Sequence, residues 1–178
     1  MLRGDRLQLR AVERSDLERM RDWRNQPEFR RHFREYRELN MVNQEQWFAR
    51  ISASANDFMF IIERSDDRAP IGVCGLVYVN WVLRSADISL YIGDDDVYID
   101  GPGGVAEEAA RVLIRYGFED LNLHKVWTEL YSFDECKIAL FTRLGFARDA
   151  VLRDNAYAGG RYHDSYIYSL IRPDEAKP

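Results

Sequence analysis

The feature that most constrains the fold is a strand-like run, a glycine-rich turn and a long amphipathic helix in immediate succession. The run ADISLYIG ends at Gly93, the turn is Gly101-Pro102-Gly103-Gly104, and the helical pattern continues to Asp120. The apolar residues of this pattern follow the three-and-four spacing of one helix face. Glycines before a helix let a ligand approach the backbone, and the free N–H groups of a first turn can hold a phosphate. The stretch therefore predicts a pyrophosphate-binding turn, although Gly-Pro-Gly-Gly is also typical of an ordinary turn.

The composition limits the class of protein. With 178 residues, 46% of them hydrophobic, the chain can form one compact domain over residues 1–178. A formal net charge of −5 argues against nucleic acid or an anionic membrane as the main partner. No apolar run approaches the roughly 20 residues that span a bilayer, and the first residues lack a signal-peptide core. We therefore expect a cytoplasmic protein without membrane or nucleic-acid partners.

The cysteines and histidines do not predict a metal site. Cys74 and Cys136 lack metal-ligand spacing, and the chain has only 3 His. Both cysteines are expected to be small buried apolar residues. No metal ligand is therefore predicted.

The periodicity predicts a mixed order of strands and helices. Strands are expected at 7–11, 58–62, 71–79, 86–92, 125–130, 146–152 and 162–171. Helices are expected to end near Asn25, to begin at Pro27, to follow a capping box of Asn43 and Gln46, to begin near Gly103, and to follow Asp134. The strand–helix–strand unit around the central helix implies a parallel pair. This order predicts an α+β fold with a mixed, mostly antiparallel sheet of about seven strands and helices on both faces.

A basic segment follows the second expected helix. It contains Arg30, Arg31, Arg34 and Arg37. Such a segment is either a solvated helix face or a contact with an anionic substrate or cofactor. Both interpretations stay open at this point.

Two blocks of the sequence resemble the GNAT superfamily of N-acetyltransferases. The family motif Q/R-x-x-G-x-G/A is matched by residues 101–106, where Gly104 and Ala106 fit and Gly101 replaces Gln or Arg. A second block, residues 134–146, ends in the Leu-Gly-Phe that is typical of the family. The beginning of the chain and its last hairpin are similar to the branch with ribosomal-protein alanine, spermidine and nucleotide-amino-sugar acetyltransferases.

The resemblance implies an enzyme that transfers the acetyl group of acetyl-CoA to a primary amine of a small molecule or a peptide. In the family, the fourth and fifth strands splay apart and pantetheine lies between them. The cofactor-binding residues implied here are Leu90, Tyr91, Ile92, Gly101, Gly103, Gly104, Val105, Ala106, Asp134, Lys137 and Phe141. The substrate-binding residues implied are Trp23, Arg24, Asn25 and Tyr162. A homodimer is the oligomer that the family suggests.

The catalytic candidates lie on the expected strand before the glycine turn. Asp87, Ser89 and Tyr91 alternate along it and therefore share one face. We expect Asp87 to accept the proton of the attacking amine, the alternative being a carboxylate paired with arginine. Tyr131 is a second candidate acid, and His124 is expected to be structural.

Three departures from the family pattern weaken the prediction of catalysis. Phe141 stands where the usual acid is a tyrosine, and Asp134 replaces the usual Asn. Several aspartates, Asp94, Asp95, Asp96 and Asp100, precede the phosphate turn, and carboxylates repel pyrophosphate. The alternative hypothesis is therefore a degenerate domain that binds CoA or a partner without catalysis.

Overall fold

The fold is an eight-stranded sheet with helices on both faces. A computed structural model of the chain describes residues 1–94 and 97–173, so Asp95 and Asp96 of the acidic segment lie outside the described residues. The strands are β1 (Leu2–Arg3), β2 (Leu7–Ala11), β3 (Phe58–Arg64), β4 (Pro70–Asn80), β5 (Ser85–Ile92), β6 (Lys125–Tyr131), β7 (Ala147–Ala158) and β8 (Arg161–Ile171). The α-helices are α1 (Leu17–Asn25), α2 (Pro27–Arg30), α3 (Met41–Ala53), α4 (Val105–Glu119) and α5 (Glu135–Arg143), and a 3-10 turn (Arg14–Asp16) precedes α1.

The sheet confirms the predicted α+β class and adds one strand. Its order is β1-β2-β3-β4-β5-β6-β8-β7 among the described residues, one strand more than the expected seven because β1 has only two residues. Neighbouring strands are antiparallel except β5 and β6, which run parallel. Successive side chains of each strand point to opposite faces of the sheet, so the core is divided into two clusters, one on each face. One core cluster contains the buried face of α4, and the other contains residues of α1.

Helix α4 packs closely on the sheet because small residues face it. Ala106, Ala109 and Ala110 are fully buried, and Val112 and Leu113 continue the same face. This is the face that the three-and-four spacing predicts. The helix begins directly after the glycine turn, at Val105.

The parallel pair splays apart as the resemblance implies. β5 and β6 pair only through Ser85–Asp87 and Lys125–Trp127. Beyond these residues β6 stays paired with β8 as far as Tyr131, while β5 continues to Ile92 along β4. The two central strands therefore diverge, and a gap opens between them that side chains and loops line.

Several local predictions are confirmed and two are wrong. Asp134 caps α5 by accepting a hydrogen bond from the N–H of Lys137, and Gly145 follows that helix with φ of +88°. The predicted Asn43–Gln46 capping box is wrong, because α3 begins earlier and Asn40 caps it through the N–H of Asn43.

Only one cysteine behaves as predicted. Cys74 is buried in β4, whereas Cys136 is exposed on the first turn of α5, contrary to the prediction. Cys136 is the second residue of α5, in a turn that is largely exposed, whereas Leu140 one turn later is buried. Within residues 1–94 and 97–173, none of the helices is both long and apolar enough to cross a bilayer.

Candidate active site

A cavity of about 600 Å³ lies at the point where β5 and β6 diverge. Its walls come from both strands, from the first turn of α5, from α1 and α3, and from the segment that follows α2. All three catalytic candidates line it: Asp87, Ser89 and Tyr91. Their shared face of β5 therefore points into the cavity, as their alternation predicts.

Asp87 is a buried carboxylate with one strong ion pair. It is 3% exposed, and its Oδ2 lies 2.8 Å from Nη1 of Arg34. The same guanidinium reaches Glu129 of β6 at 3.6 Å, so Arg34 bridges the two diverging strands. Burial raises the pKa of Asp87 to about 6, although Arg34 opposes the shift. The paired state that the sequence left open is thus present, and the pKa of the carboxyl group is nevertheless raised.

Tyr91 occupies the deeper end of the same face. Its ring makes edge contacts with Trp23 at 6.4 Å and with Phe33 at 5.1 Å, measured between ring centroids. Burial raises the pKa of Tyr91 to about 12. Its hydroxyl has no hydrogen-bond partner among the described residues. A ligand or a water molecule can therefore donate a hydrogen bond to the oxygen of this hydroxyl or accept one from it.

A second polar cluster surrounds Asp134 on the other side of the gap. Asp134 is 3% exposed, and its Oδ2 lies 3.2 Å from Nδ1 of His32 and 3.4 Å from the hydroxyl of Tyr98. Burial opposes ionisation, but His32 and the nearby charge of Lys137 hold the pKa of Asp134 below its usual value. The Lys137 ammonium lies 4.9 Å from the centroid of the Tyr98 ring.

The glycine turn and the helix after it are present, but side chains of the chain itself bind the N–H groups there. The carboxylate of Asp100 accepts hydrogen bonds from the N–H of Val105 and, at 2.9 Å, from the N–H of Ala106. A Cβ atom at Gly104 would overlap this carboxylate. An internal carboxylate therefore occupies the first N–H groups of α4.

Glu107 adds a second internal carboxylate beside the turn. It accepts a hydrogen bond from the N–H of Gly103 at 3.2 Å and pairs with Arg111 at 2.8 Å and with Arg143 at 3.1 Å. The bond from Arg111, together with the other two contacts, lowers the pKa of Glu107 to about 2. Two cations near the turn are therefore neutralised from within the chain.

The end of β5 is also partly occupied. The N–H of Ile92 donates to the carbonyl of Tyr98 at 2.9 Å, so the segment after β5 folds back along it. Because backbone groups alternate between the two edges of a strand, the N–H groups of Leu90 and Ile88 face the same gap. The N–H of Leu90 is therefore a backbone donor that faces the gap, whereas the N–H of Ile92 is already bound to Tyr98.

The residues implied as substrate-binding divide into two groups. Arg24 lines the cavity, with its guanidinium 4.4 Å from the centroid of Phe33, and Trp23 is buried in the neighbouring core cluster. Asn25 instead exchanges two hydrogen bonds, both of 2.8 Å, with the backbone of Leu39. Tyr162 is 66% exposed on the β7–β8 hairpin, packs on Tyr157, and does not line the cavity.

Phe141 and His124 also lie away from the cavity. Phe141 is 1% exposed and packs edge-on against Phe146, with ring centroids 4.9 Å apart. His124 is exposed directly before β6. Tyr131, the alternative acid named from the sequence, lines the cavity.

Sequence reasoning missed three polar residues of the site, His32, Tyr98 and Glu129, and it named Arg34 without its partners. The basic segment after α2 was a usable signal for Arg34. Its arginines pair mainly with carboxylates of the chain, Arg30 with Glu38 at 3.5 Å and Arg37 with Glu35 at 2.7 Å.

Comparison with known proteins places these features in a family. Residues 6–147 match the family model described as an acetyltransferase (GNAT) domain. The chain is 31% identical over 126 residues to the uncharacterized N-acetyltransferase p20 of Bacillus licheniformis, covering 71% of this chain and 67% of that protein. It is 26% identical over 159 residues to the spermidine N(1)-acetyltransferase of Escherichia coli K12, covering 89% of this chain and 82% of the relative.

A solved structure confirms the fold. The spermidine N-acetyltransferase of Vibrio cholerae, in complex with CoA and spermine, superposes with a TM-score of 0.85 at 23% sequence identity, over 94% of this chain and 96% of that one. The family match over residues 6–147 and the shared fold agree. The chain belongs to the GNAT acetyltransferase family.

Proposed function

We propose that the protein transfers the acetyl group of acetyl-CoA to a primary amine. The observation that carries this proposal is the cavity at the diverging strands, where a buried carboxylate of raised pKa faces the gap in a chain of the GNAT family. The reaction needs an amine, a thioester carbonyl and a proton acceptor to meet there. Holding two bound substrates in that geometry supplies most of the rate.

Asp87 acts as the proton acceptor in this proposal. Asp87 is the last β5 residue that pairs with β6, and its side chain lines the cavity. The carboxylate takes the proton of the amine as the nitrogen attacks the carbonyl carbon. The N–H of Leu90 faces the gap and polarises the carbonyl oxygen. Ser89 and Tyr91 position the reactants from the same strand face.

Acetyl-CoA binds, in this proposal, along the gap and at the start of α4. The N–H groups of Val105 and Ala106 hold the pyrophosphate, and Gly103 and Gly104 let it approach. These groups bind Asp100 and Glu107 in the structure, so the cofactor must displace both carboxylates. A carboxylate already bound at the helix N-terminus supports the chemistry of the site, because it satisfies the same N–H groups that a phosphate would.

The acceptor is a small-molecule or peptide amine. The cavity is lined by both carboxylates and cations, among them Asp57, Glu129, Arg24 and Arg50. A cationic amine is attracted to Asp87 and Glu129, and the arginines suit an acceptor that also carries an anionic group. The similarity to spermidine acetyltransferases supports a polyamine as one test acceptor. We propose no nucleic-acid or membrane partner, and the homodimer stays a prediction.

Calorimetric titration with acetyl-CoA tests the proposal, with Gly104→Glu as the control that fills the phosphate turn with a charged side chain. The expected result is binding that the substitution abolishes. A panel of polyamines, amino sugars and N-terminal peptides, assayed by release of free thiol, then identifies the acceptor. Failure of acetyl-CoA to bind at millimolar concentration would contradict the proposal.

The second candidate function is a degenerate domain that binds a ligand without turnover. The internal occupation of the phosphate turn by Asp100 and Glu107 favours it. Thiol release with any amine in the panel excludes this alternative. Binding of acetyl-CoA without thiol release across the panel supports it.

A further inference from the structure

The family's usual proton donor is missing, and the structure shows that its position is closed. Phe141 has no proton to give and lies in the core against Phe146. The leaving group is the thiolate of CoA, and an ordinary thiol has a pKa of about 8.5. A proton donor near the gap would still lower the barrier to its departure.

Lys137 lies one helical turn before Phe141 on the same helix. Residues four apart on a helix are neighbours on one face. Phe141 points into the core, but Lys137 lines the cavity together with Asp87 and Asp134. The side chain extends over the ring of Tyr98, 4.9 Å from its centroid. The ammonium therefore reaches the gap from the α5 side, opposite the catalytic candidates of β5.

Among the residues that the structure describes, the ammonium of Lys137 has no ion-pair partner of its own. Within residues 1–94 and 97–173, no carboxylate oxygen lies within 4.0 Å of its Nζ, although Asp134 and Asp87 are in the same cavity. Asp134 is engaged by His32 and Tyr98, and Asp87 by Arg34. An ammonium carries three donors, and here all three are available to a ligand.

The charged groups around Lys137 come from four elements and oppose one another. Asp87 of β5 and Asp134 before α5 favour the ammonium, whereas Arg24 of α1 and Arg34 after α2 disfavour it. Burial is the largest effect and lowers the pKa of Lys137 from its usual value. This shift brings the ammonium closer to the acidity of a thiol and makes proton transfer to a thiolate easier.

We infer that Lys137 donates the proton taken up by the departing CoA thiolate, an inference that rests on the proposed acetyl transfer. The amine nitrogen bonds to the carbonyl carbon and gives its proton to Asp87. The carbon–sulfur bond then breaks, its electron pair goes to sulfur, and an Nζ proton of Lys137 moves to that sulfur. The products are the amide and free CoA. Asp87 returns its proton to Lys137, so the balance of protons closes.

Tyr131 is the competing donor. It lines the same cavity, but burial raises its pKa, and a weaker acid gives up its proton less readily. Its ring packs on Phe133 with centroids 5.4 Å apart. The inference therefore predicts that Tyr131→Phe costs less activity than Lys137→Met.

The first test needs no acceptor. Free CoA is titrated with pH in the presence of excess protein, and the ultraviolet absorbance of the thiolate is followed. A cation beside the sulfur should lower the thiol pKa of bound CoA by about one unit or more. Lys137→Met should abolish that shift, and Lys125→Met, which removes a lysine paired with Asp149 outside the cavity, should leave it intact.

A kinetic arm separates proton donation from charge alone. Lys137→Arg retains the positive charge but not a proton that it can release, because the arginine pKa exceeds 12. We expect both Lys137→Met and Lys137→Arg to lower kcat about 100-fold with little change in KM, and only the arginine variant to keep the shifted thiol pKa. Full turnover in Lys137→Arg, or an unshifted thiol pKa in the wild type with bound CoA, would overturn the inference while acetyl transfer stands. Absence of CoA binding would instead overturn the proposed function, and the inference with it.

Discussion

The two halves of the site differ in how far the chain has already filled them. At the start of α4, the N–H groups that suit a pyrophosphate bind Asp100, and Glu107 neutralises two neighbouring arginines. At the diverging strands, by contrast, about 600 Å³ stays open and is lined by Asp87, Tyr91 and Lys137. In the proposed function, cofactor binding is therefore a competition with internal carboxylates, whereas the cavity proposed for the reaction is formed in advance.

Because of this difference, we expect the turn to determine the affinity for acetyl-CoA and the cavity to determine the rate of acetyl transfer. When a phosphate replaces an internal carboxylate at a helix N-terminus, one set of charge-assisted hydrogen bonds is exchanged for another. The turn therefore contributes little net free energy to cofactor binding. The groups proposed for proton transfer are not involved in that exchange. Substitutions at the turn should therefore change the affinity for acetyl-CoA, and substitutions in the cavity should change turnover.

The largest effect is expected from Asp87→Asn. An amide cannot accept the amine proton, so kcat should fall about 100- to 10,000-fold. The carboxylate is the active form, and its pKa is raised to about 6, so wild-type activity should fall as the pH drops through about 6. A pH profile of kcat checks both points.

Asp149→Asn is the matched control for that variant, since Asp149 pairs with Lys125 and Ser169 outside the cavity. It should keep the wild-type profile. An Asp87→Asn enzyme with normal kcat and the same acidic limb would show that another group accepts the proton.

A smaller effect is expected from Glu107→Gln. The substitution frees Arg111 and Arg143 to face the cofactor phosphates. Exposed ion pairs contribute up to about 1 kcal/mol, so the Kd for acetyl-CoA should fall two- to fivefold, by about that free energy. Calorimetry measures it, with Glu119→Gln at the other end of α4 as the control. Weaker binding in Glu107→Gln would mean that Glu107 supports the turn more than it competes.

The smallest effect is expected from Tyr162→Ala. Tyr162 was assigned to the substrate site from the family resemblance, but it is exposed on the hairpin and remote from the cavity walls. In a single chain its removal should change the KM for the acceptor less than twofold. A larger rise in KM, together with a shift in molecular mass by light scattering, would place the residue at the site of a second copy in a homodimer.

Local sequence patterns predicted the features that depend on neighbouring residues, such as strand faces and helix caps. The alternation at Asp87, Ser89 and Tyr91 gave the correct strand face, and Asp134 was recognised as a helix cap because its role depends only on the next three residues. The cap of α3 was placed at Asn43 instead of Asn40, since both residues are asparagines with comparable capping preference.

Long-range partners were not predictable in the same way. Arg34 was visible only as part of a basic segment, and its pairing with Asp87 and Glu129 depends on how the loop after α2 folds over the sheet. Tyr98 lies in a segment without periodicity, so its contacts with His32 and Asp134 had no sequence signal. The acidic segment was identified as an obstacle to pyrophosphate, but the direct bonds of Asp100 to the turn emerged only from the structure.

We expect Asp100 to compete with acetyl-CoA for the N–H groups at the start of α4, and calorimetric titration of Asp100→Ala with acetyl-CoA measures this competition. Asp94→Ala is the matched control, because Asp94 pairs with Arg64 and not with the turn. Removing a competing charged hydrogen bond of about 1.5 kcal/mol should tighten binding about tenfold in Asp100→Ala, with no change in Asp94→Ala. Weaker or unchanged binding in Asp100→Ala would contradict this expectation and make Asp100 a structural cap of the helix.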